Sequence, residues 1–112
     1  MVDRRSRHRF ESELRVTLTT TEFISNVKTD AYMTDCSQVG ARIISPIYFD
    51  PGQAIQIIVD ILGGPLEIPA KVIECREDAQ QKYRFEKTNV LHIQFDHLTE
   101  QELNTLIVAG KK

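Results

Sequence analysis

Apolar residues at every second position constrain this chain more than any other feature. Leu14, Val16 and Leu18 alternate with Arg15, Thr17 and Thr19, and Ile55, Ile57, Val59 and Ile61 repeat the pattern. So do Leu66, Ile68, Ala70 and Val72, and then Leu91, Ile93 and Phe95 with His92 and Gln94 between them. A period of two places each apolar set on one face of a β-strand, where β-branched side chains pack well. Such one-sided strands bury their apolar faces only against each other. Residues 29–36 and 41–45 read as two further strands, broken by Ser37-Gln38-Val39-Gly40. Pro46 to Gly52 reads as a loop ending in the turn signal Asp50-Pro51-Gly52. Gly63-Gly64-Pro65 turns the clearest hairpin, and the charged, amide-rich residues 76–82 read as a solvated loop.

The period changes near the C-terminus. Thr99 and Glu102 have capping-box spacing, with Leu98 and Leu103 placed as a hydrophobic staple. Leu103, Leu106 and Ile107 continue as a helical stripe, and Gly110, Lys111 and Lys112 close it. The expected helix covers residues 99–109 and plugs an open barrel end. At 112 residues the chain fits a single domain, and 41% hydrophobic residues suffice for a modest core. Six or seven strands with hairpin connections and one terminal helix point to an all-β fold, a small β-barrel.

Several function classes drop out. No apolar run approaches the roughly 20 residues that span a bilayer, and Met1–Phe10 lack the apolar stretch of a signal peptide, so the expected location is cytoplasmic. Cys36 and Cys75 are too few for a disulfide framework and too far apart for a CxxC clip, and read as small buried hydrophobes. His8, His92 and His97 share no metal-ligand spacing, so no metal site is expected. Neither a nucleophile–base pair nor a GxxxxGK[ST] phosphate loop is evident, and the expectation is a non-enzymatic domain without a cofactor.

The charge distribution points elsewhere. Arg4, Arg5, Arg7 and Arg9 against Asp3 give the first ten residues a formal +3, although the whole chain carries −2. Nucleic-acid binders spread basic charge over a face, often with a high pI, whereas this chain has a pI near 5.9. Basic charge at one end suits a compact anionic ligand. The cluster Arg4-Arg5-Ser6-Arg7-His8-Arg9 contains arginine and no lysine, and arginine's planar fork binds phosphate oxygens in pairs, grips the guanine O6/N7 edge and stacks on bases. On composition alone it is equally a solvated basic tail. The second constellation is Asp35-Cys36-Ser37-Gln38-Val39-Gly40 between two expected strands. Asp35 accepts from donor edges such as guanine N1–H and N2–H, Ser37 offers a hydroxyl, and Gly40 permits a positive φ or the close approach of a ligand. Alone, that string is also an ordinary strand-connecting turn.

Taken in order, RRxxxR (Arg4, Arg5, Arg9) before the first strand and DxSxxG (Asp35, Ser37, Gly40) in a following turn resemble the PilZ domain family. The resemblance extends through Ala41-Arg42-Ile43, the strand ending Ile93-Gln94-Phe95 and the terminal helix. The chain departs from the family at Val39, often a second glycine, and near His92, where the family often has a glycine ahead of the last core strand. The resemblance implies a six-stranded antiparallel PilZ-type β-barrel over residues 11–112, with a short C-terminal α-helix, behind a flexible arginine-rich arm of residues 1–10. It also implies a receptor for cyclic di-GMP. Arg5 and Arg9 would hold phosphate and the guanine O6/N7 edge, Asp35 the guanine donor edge, Ser37 phosphate or base, and Gly40 an open turn. Arg4 would stack on an extra guanine and allow two intercalated ligand molecules per chain. The partner would be a downstream protein, with motility, exopolysaccharide synthesis or virulence as outputs, and with a monomer or weak dimer as the assembly.

Two rivals compete with that reading. One is a PilZ-like protein–protein adaptor that binds no nucleotide. The other is a small barrel that grips RNA through the basic arm, which would need exposed aromatic platforms that the eight Phe and Tyr residues do not supply as an RNP-like cluster.

Overall fold

In the computed structural model, residues 10–20, 27–78 and 88–110 are described, with side chains from Glu13 in the first strand and as far as Glu77 in the fifth. Six strands form, namely β1 (Phe10–Thr20), β2 (Lys28–Cys36), β3 (Gly40–Ser45), β4 (Ala54–Ile61), β5 (Gly64–Asp78) and β6 (Thr88–Phe95). Helix α1 (Glu100–Gly110) follows. Every neighbouring pair is antiparallel. The sheet closes into a barrel in the order β1-β2-β3-β6-β5-β4. Closure leaves no sheet edge exposed along the paired segments, which is how small all-β domains avoid edge-to-edge association. Among the described residues, no helix is long and apolar enough to cross a membrane.

The alternating residues point where their period requires. Leu14, Val16, Leu18, Ile55, Ile57, Val59, Ile68, Ala70, Val72, Leu91, Ile93 and Phe95 all lie in one buried cluster. Two bulges shift the phase of that alternation. In β2 the register changes between Met33 and Asp35. Ala31 and Met33 point inward, and the extra residue then turns Cys36 inward and Asp35 outward. In β5 the register changes between Val72 and Glu74, so Cys75 replaces Glu74 on the core side while Ile73 is left exposed. Without the bulges, strict alternation would drive both carboxylates into the core at a large desolvation cost.

The turns are set by backbone chemistry. Pro51 occupies the second position of the Asp50–Gln53 turn and Gly52 adopts φ +90° in the third, while Gln53 N–H donates to the Asp50 carbonyl at 3.1 Å. This is the type II pattern. The β4–β5 hairpin turns one position earlier than the glycine pair suggested. Ile61 pairs with Gly64, leaving Leu62-Gly63 as the loop, and Pro65 already lies in β5 opposite Asp60. Positive φ at Gly63 and Gly64 carries the reversal (101° and 122°). Pro65 and Pro69 are tolerated because β6 pairs with β5 only from Ala70 onward, so their missing N–H groups interrupt no β5–β6 ladder.

The expected loop at 76–82 needs correction. β5 continues to Asp78, with Arg76, Glu77 and Asp78 opposite Val90, Asn89 and Thr88. Charged residues do not break a strand whose backbone is paired and whose side chains reach solvent, as those of Arg76 and Glu77 do. Residues 79–82 lie outside the described residues. Strand β1 starts at Phe10, which pairs with Cys36.

Helix α1 begins as its capping box dictates. Glu102 N–H donates to Thr99 Oγ1 at 3.1 Å, and Thr99 N–H donates to Glu102 Oε1 at 3.0 Å. Leu98 and Leu103 are both buried, as the staple requires, and Leu103 and Leu106 seat the helix against the core. Gly110 is the last helical residue, buried and without positive φ, so it is not a left-handed cap. Strand directions place α1 at the barrel end that also carries the start of β1, the β2–β3 turn and the β4–β5 hairpin. The β3–β4 connection lies at the other end, where Phe49 is 1% exposed and joins the core. Burying a phenyl ring there contributes about 1.5–3 kcal/mol.

Candidate ligand-binding site

The β1–β2 register sets the start of β1 beside the DxSxxG turn. Phe10 pairs with Cys36 and Glu11 with Asp35, so the chain enters β1 beside the strand end that carries DxSxxG. Arg9 is the residue before Phe10. Arg4, Arg5 and Arg9 themselves lie outside the described residues, whereas Asp35, Ser37 and Gly40 lie within them.

Ser37 is 1% exposed and organises the turn itself. Its Oγ accepts from the N–H groups of Val39 and Gly40, and its hydroxyl donates to the Gly40 carbonyl, each at 3.3 Å. Ser37 N–H also donates to the Gly40 carbonyl at 2.8 Å. A short hydroxyl is the group that can close such a loop on its own backbone. Gly40 serves a purpose different from the positive φ considered above, since only Gly52, Gly63 and Gly64 carry positive φ among the described residues. A Cβ at Gly40 would lie 2.2 Å from the Ile93 carbonyl oxygen. Glycine is required because the backbone of β6 passes that closely. Phe95 N–H donates to the Val39 carbonyl at 2.9 Å, and the Gln38 side-chain amide donates to the Leu98 carbonyl. The turn is thereby tied both to the end of β6 and to the lead into α1.

Asp35 stands at the rim of this turn, half-buried and turned outward by the β2 bulge. Neighbouring strands continue the row across the outer wall. Asp35 is opposite Arg42, Arg42 opposite His92, and His92 opposite Glu74. Arg42 and His92 are half-buried and Glu74 is exposed. Their core-side neighbours Ala41, Ile43, Leu91 and Ile93 are buried, which fixes the row on the outside. Neither Arg42 nor His92 was singled out as a site residue from the sequence. The outward phase of each strand was legible, but the pairing of β3 with β6 was not.

The cysteines are chemically quiet. Burial pushes the Cys36 thiol up to about 11, with the negative charge of Asp35 adding to the shift. Burial raises the Cys75 thiol as well, reinforced by Asp50 and opposed by a backbone hydrogen bond with Phe49. Both are therefore held as neutral thiols rather than nucleophilic thiolates.

Two of the cavities among the described residues bear on the site. The larger, about 670 Å³, lies between α1, β1 and the β4–β5 hairpin, with Leu14, Ile61, Leu62 and Val108 among its lining residues. Its charged lining residue is Asp60, which suits an anionic ligand poorly. A smaller one, about 330 Å³, is lined by Lys71, Gln94, Phe95 and Asp96. It adjoins the DxSxxG turn, because Gly40 pairs with Gln94 and Gln94 with Lys71.

Comparison with solved structures shows the same architecture. A PilZ domain with c-di-GMP of YcgR from Escherichia coli is 17% identical, with a TM-score of 0.58 and 88% of each chain covered. The PilZ domain of CeSA from a cellulose-synthesizing bacterium is 16% identical, with a TM-score of 0.60, over 92% of this chain and 94% of that one. K. pneumonia MrkH, at 11% identity and a TM-score of 0.66, covers 98% of this chain, which spans half of MrkH. No curated protein sequence matches significantly. The sequence matches the PilZ domain family over residues 3–109, nearly its whole length, and with the closed six-stranded barrel and its terminal helix this places the chain in that family.

Proposed function

We propose that this chain is a cyclic di-GMP receptor domain that signals to a partner protein through its N-terminal arm. The observation that carries the reading is the β1–β2 register. Phe10, the residue after Arg9, pairs with Cys36 and Glu11 pairs with Asp35, which supports a ligand held between the RRxxxR segment and the DxSxxG turn in a chain of this family. The ligand carries two phosphates and two guanines. Arg5 and Arg9 grip phosphate and the guanine O6/N7 edge. Asp35 accepts from guanine N1–H and N2–H. Ser37 and Gly40 hold the turn in shape behind it, and Arg4 stacks on the guanine of a second, intercalated ligand molecule. The solved PilZ domain of YcgR with c-di-GMP supports this choice of ligand.

Binding orders the arm over the barrel wall, so part of the interaction energy is spent as conformational entropy and a new surface is formed. That surface engages the partner. Isothermal titration calorimetry with cyclic di-GMP, using GMP and cyclic di-AMP as controls, tests the reading. Selective binding at or below about 1 μM, roughly −8 kcal/mol, is expected. A stoichiometry of two supports the role of Arg4. Absence of heat and of binding refutes the receptor reading in favour of a nucleotide-independent adaptor.

A further inference from the structure

We infer that Arg42 is a ligand-contacting, base-specifying residue of the barrel wall, an inference that rests on the receptor reading above. Arg42 is the cross-strand partner of Asp35 on the outer face. Directly opposed residues of neighbouring strands sit about 5 Å apart, so a base held by Asp35 lies against Arg42.

A surface arginine, Arg15, shows how different its situation is. Arg15 is paired with Asp30 at 2.9 Å, with both side chains well exposed. The Arg42 side chain is half-buried, and its Nε is buried with no hydrogen-bond partner among the described residues. A partly desolvated guanidinium is costly to the free protein, and an acceptor that pairs with its fork offsets part of that cost. The flanking strands fix the backbone of Arg42. Its backbone carbonyl accepts from Thr34 Oγ1 at 3.5 Å, and its neighbours on the same wall are Asp35 on β2 and His92 on β6.

The chemistry of the pair selects guanine. Along one guanine edge the N2–H and N1–H donors are followed by the O6 acceptor. Asp35 takes the donors and Arg42, beside it, donates to O6. Adenine presents an acceptor at N1 and a donor amine at position 6, which inverts both contacts. An acceptor would then face a carboxylate and a donor would face a guanidinium. Asp35 with Arg42 therefore reads base identity from the barrel side.

The test compares binding of cyclic di-GMP and cyclic di-AMP to the full chain and its Arg42→Ala, Arg42→Lys and Arg15→Ala variants, with thermal melts alongside. Arg42→Ala is expected to weaken cyclic di-GMP binding about five- to 150-fold and to narrow its preference over cyclic di-AMP, while Arg15→Ala binds as the parent does. Arg42→Lys recovers part of the affinity but not the full preference, because an ammonium lacks the planar fork. A parent chain that binds cyclic di-GMP and an Arg42→Ala variant that binds it equally well, with the same preference, overturn this inference and leave the receptor reading standing. A parent chain that does not bind overturns both. If Arg42→Ala melts earlier but keeps the parent's preference, its role is structural and the inference fails.

Discussion

Replacing Gly40 by alanine tests the close approach of β3 to β6. The added Cβ would stand 2.2 Å from the Ile93 carbonyl oxygen, whereas ordinary contact begins at 3.4 Å, so β3 and β6 would have to part by about 1.2 Å. Overpacking of this kind costs about 1–3 kcal/mol, and the upper end applies because the opposing atom is backbone and cannot swing away. Parting the strands also strains the Phe95 N–H to Val39 carbonyl bond that locks the turn. At about 2.1 cal/mol/K of unfolding entropy per residue, 112 residues lose about 13 °C of Tm for 3 kcal/mol. Thermal unfolding followed by circular dichroism measures the shift. Gly52→Ala provides the contrast. Gly52 has φ +90° with open space around its Cβ position, so its cost is backbone strain of about 1–2 kcal/mol and about 4–9 °C of Tm. A Gly40→Ala variant that melts within about 3 °C of the parent would refute the steric argument.

Three further outcomes follow from other parts of the molecule. Arg5→Ala and Arg9→Ala should each weaken cyclic di-GMP binding about five- to 150-fold, and unchanged calorimetric affinity in both would remove these arginines from the site. Thr99→Ala deletes the hydroxyl that accepts from Glu102 N–H, costing about 1 kcal/mol and about 4 °C of Tm, and an unaltered melt would mean that the cap contributes nothing. Because folding raises the Cys36 thiol to about 11, its contribution to stability is complete below the ordinary thiol value and is lost as pH rises through about 11. Cys36→Ser should flatten that alkaline fall in denaturant titrations, and an identical pH profile in parent and variant would contradict the assignment.

The alternation of apolar residues made the strands and the inward faces legible because burial on one side leaves a period of two in the sequence. The capping box and the staple did the same for α1, since Thr99, Glu102, Leu98 and Leu103 interact within a few residues of one another. What escaped was non-local or a matter of one residue. The bulges beside Thr34 and Ile73 leave no period of their own, yet they decide that Cys36 and Cys75 face the core. Charge at Arg76 and Glu77 imitated a loop, although pairing with β6 outweighed it. Gly40 was singled out for its permissiveness, but what the structure shows there, the close Ile93 carbonyl, comes from a strand more than fifty positions away. The Asp35–Arg42–His92–Glu74 row needs four strands in register before it exists, so single-strand reading identified Asp35 and missed the other three.

The strand order also bears on how this chain reaches its native state. The hairpins β1–β2, β2–β3 and β4–β5 join near neighbours, and such units form within microseconds. The seams that close the cylinder join Thr17 to Ile58 and Arg42 to His92, partners about 40 and 50 residues apart, and ordering the intervening chain opposes both steps. Assembly is then limited by these two encounters, which puts folding in the millisecond-to-second range typical of domains dominated by distant pairings. Lengthening the 46–53 connection would slow the β1–β4 seam while leaving the hairpins as fast as before.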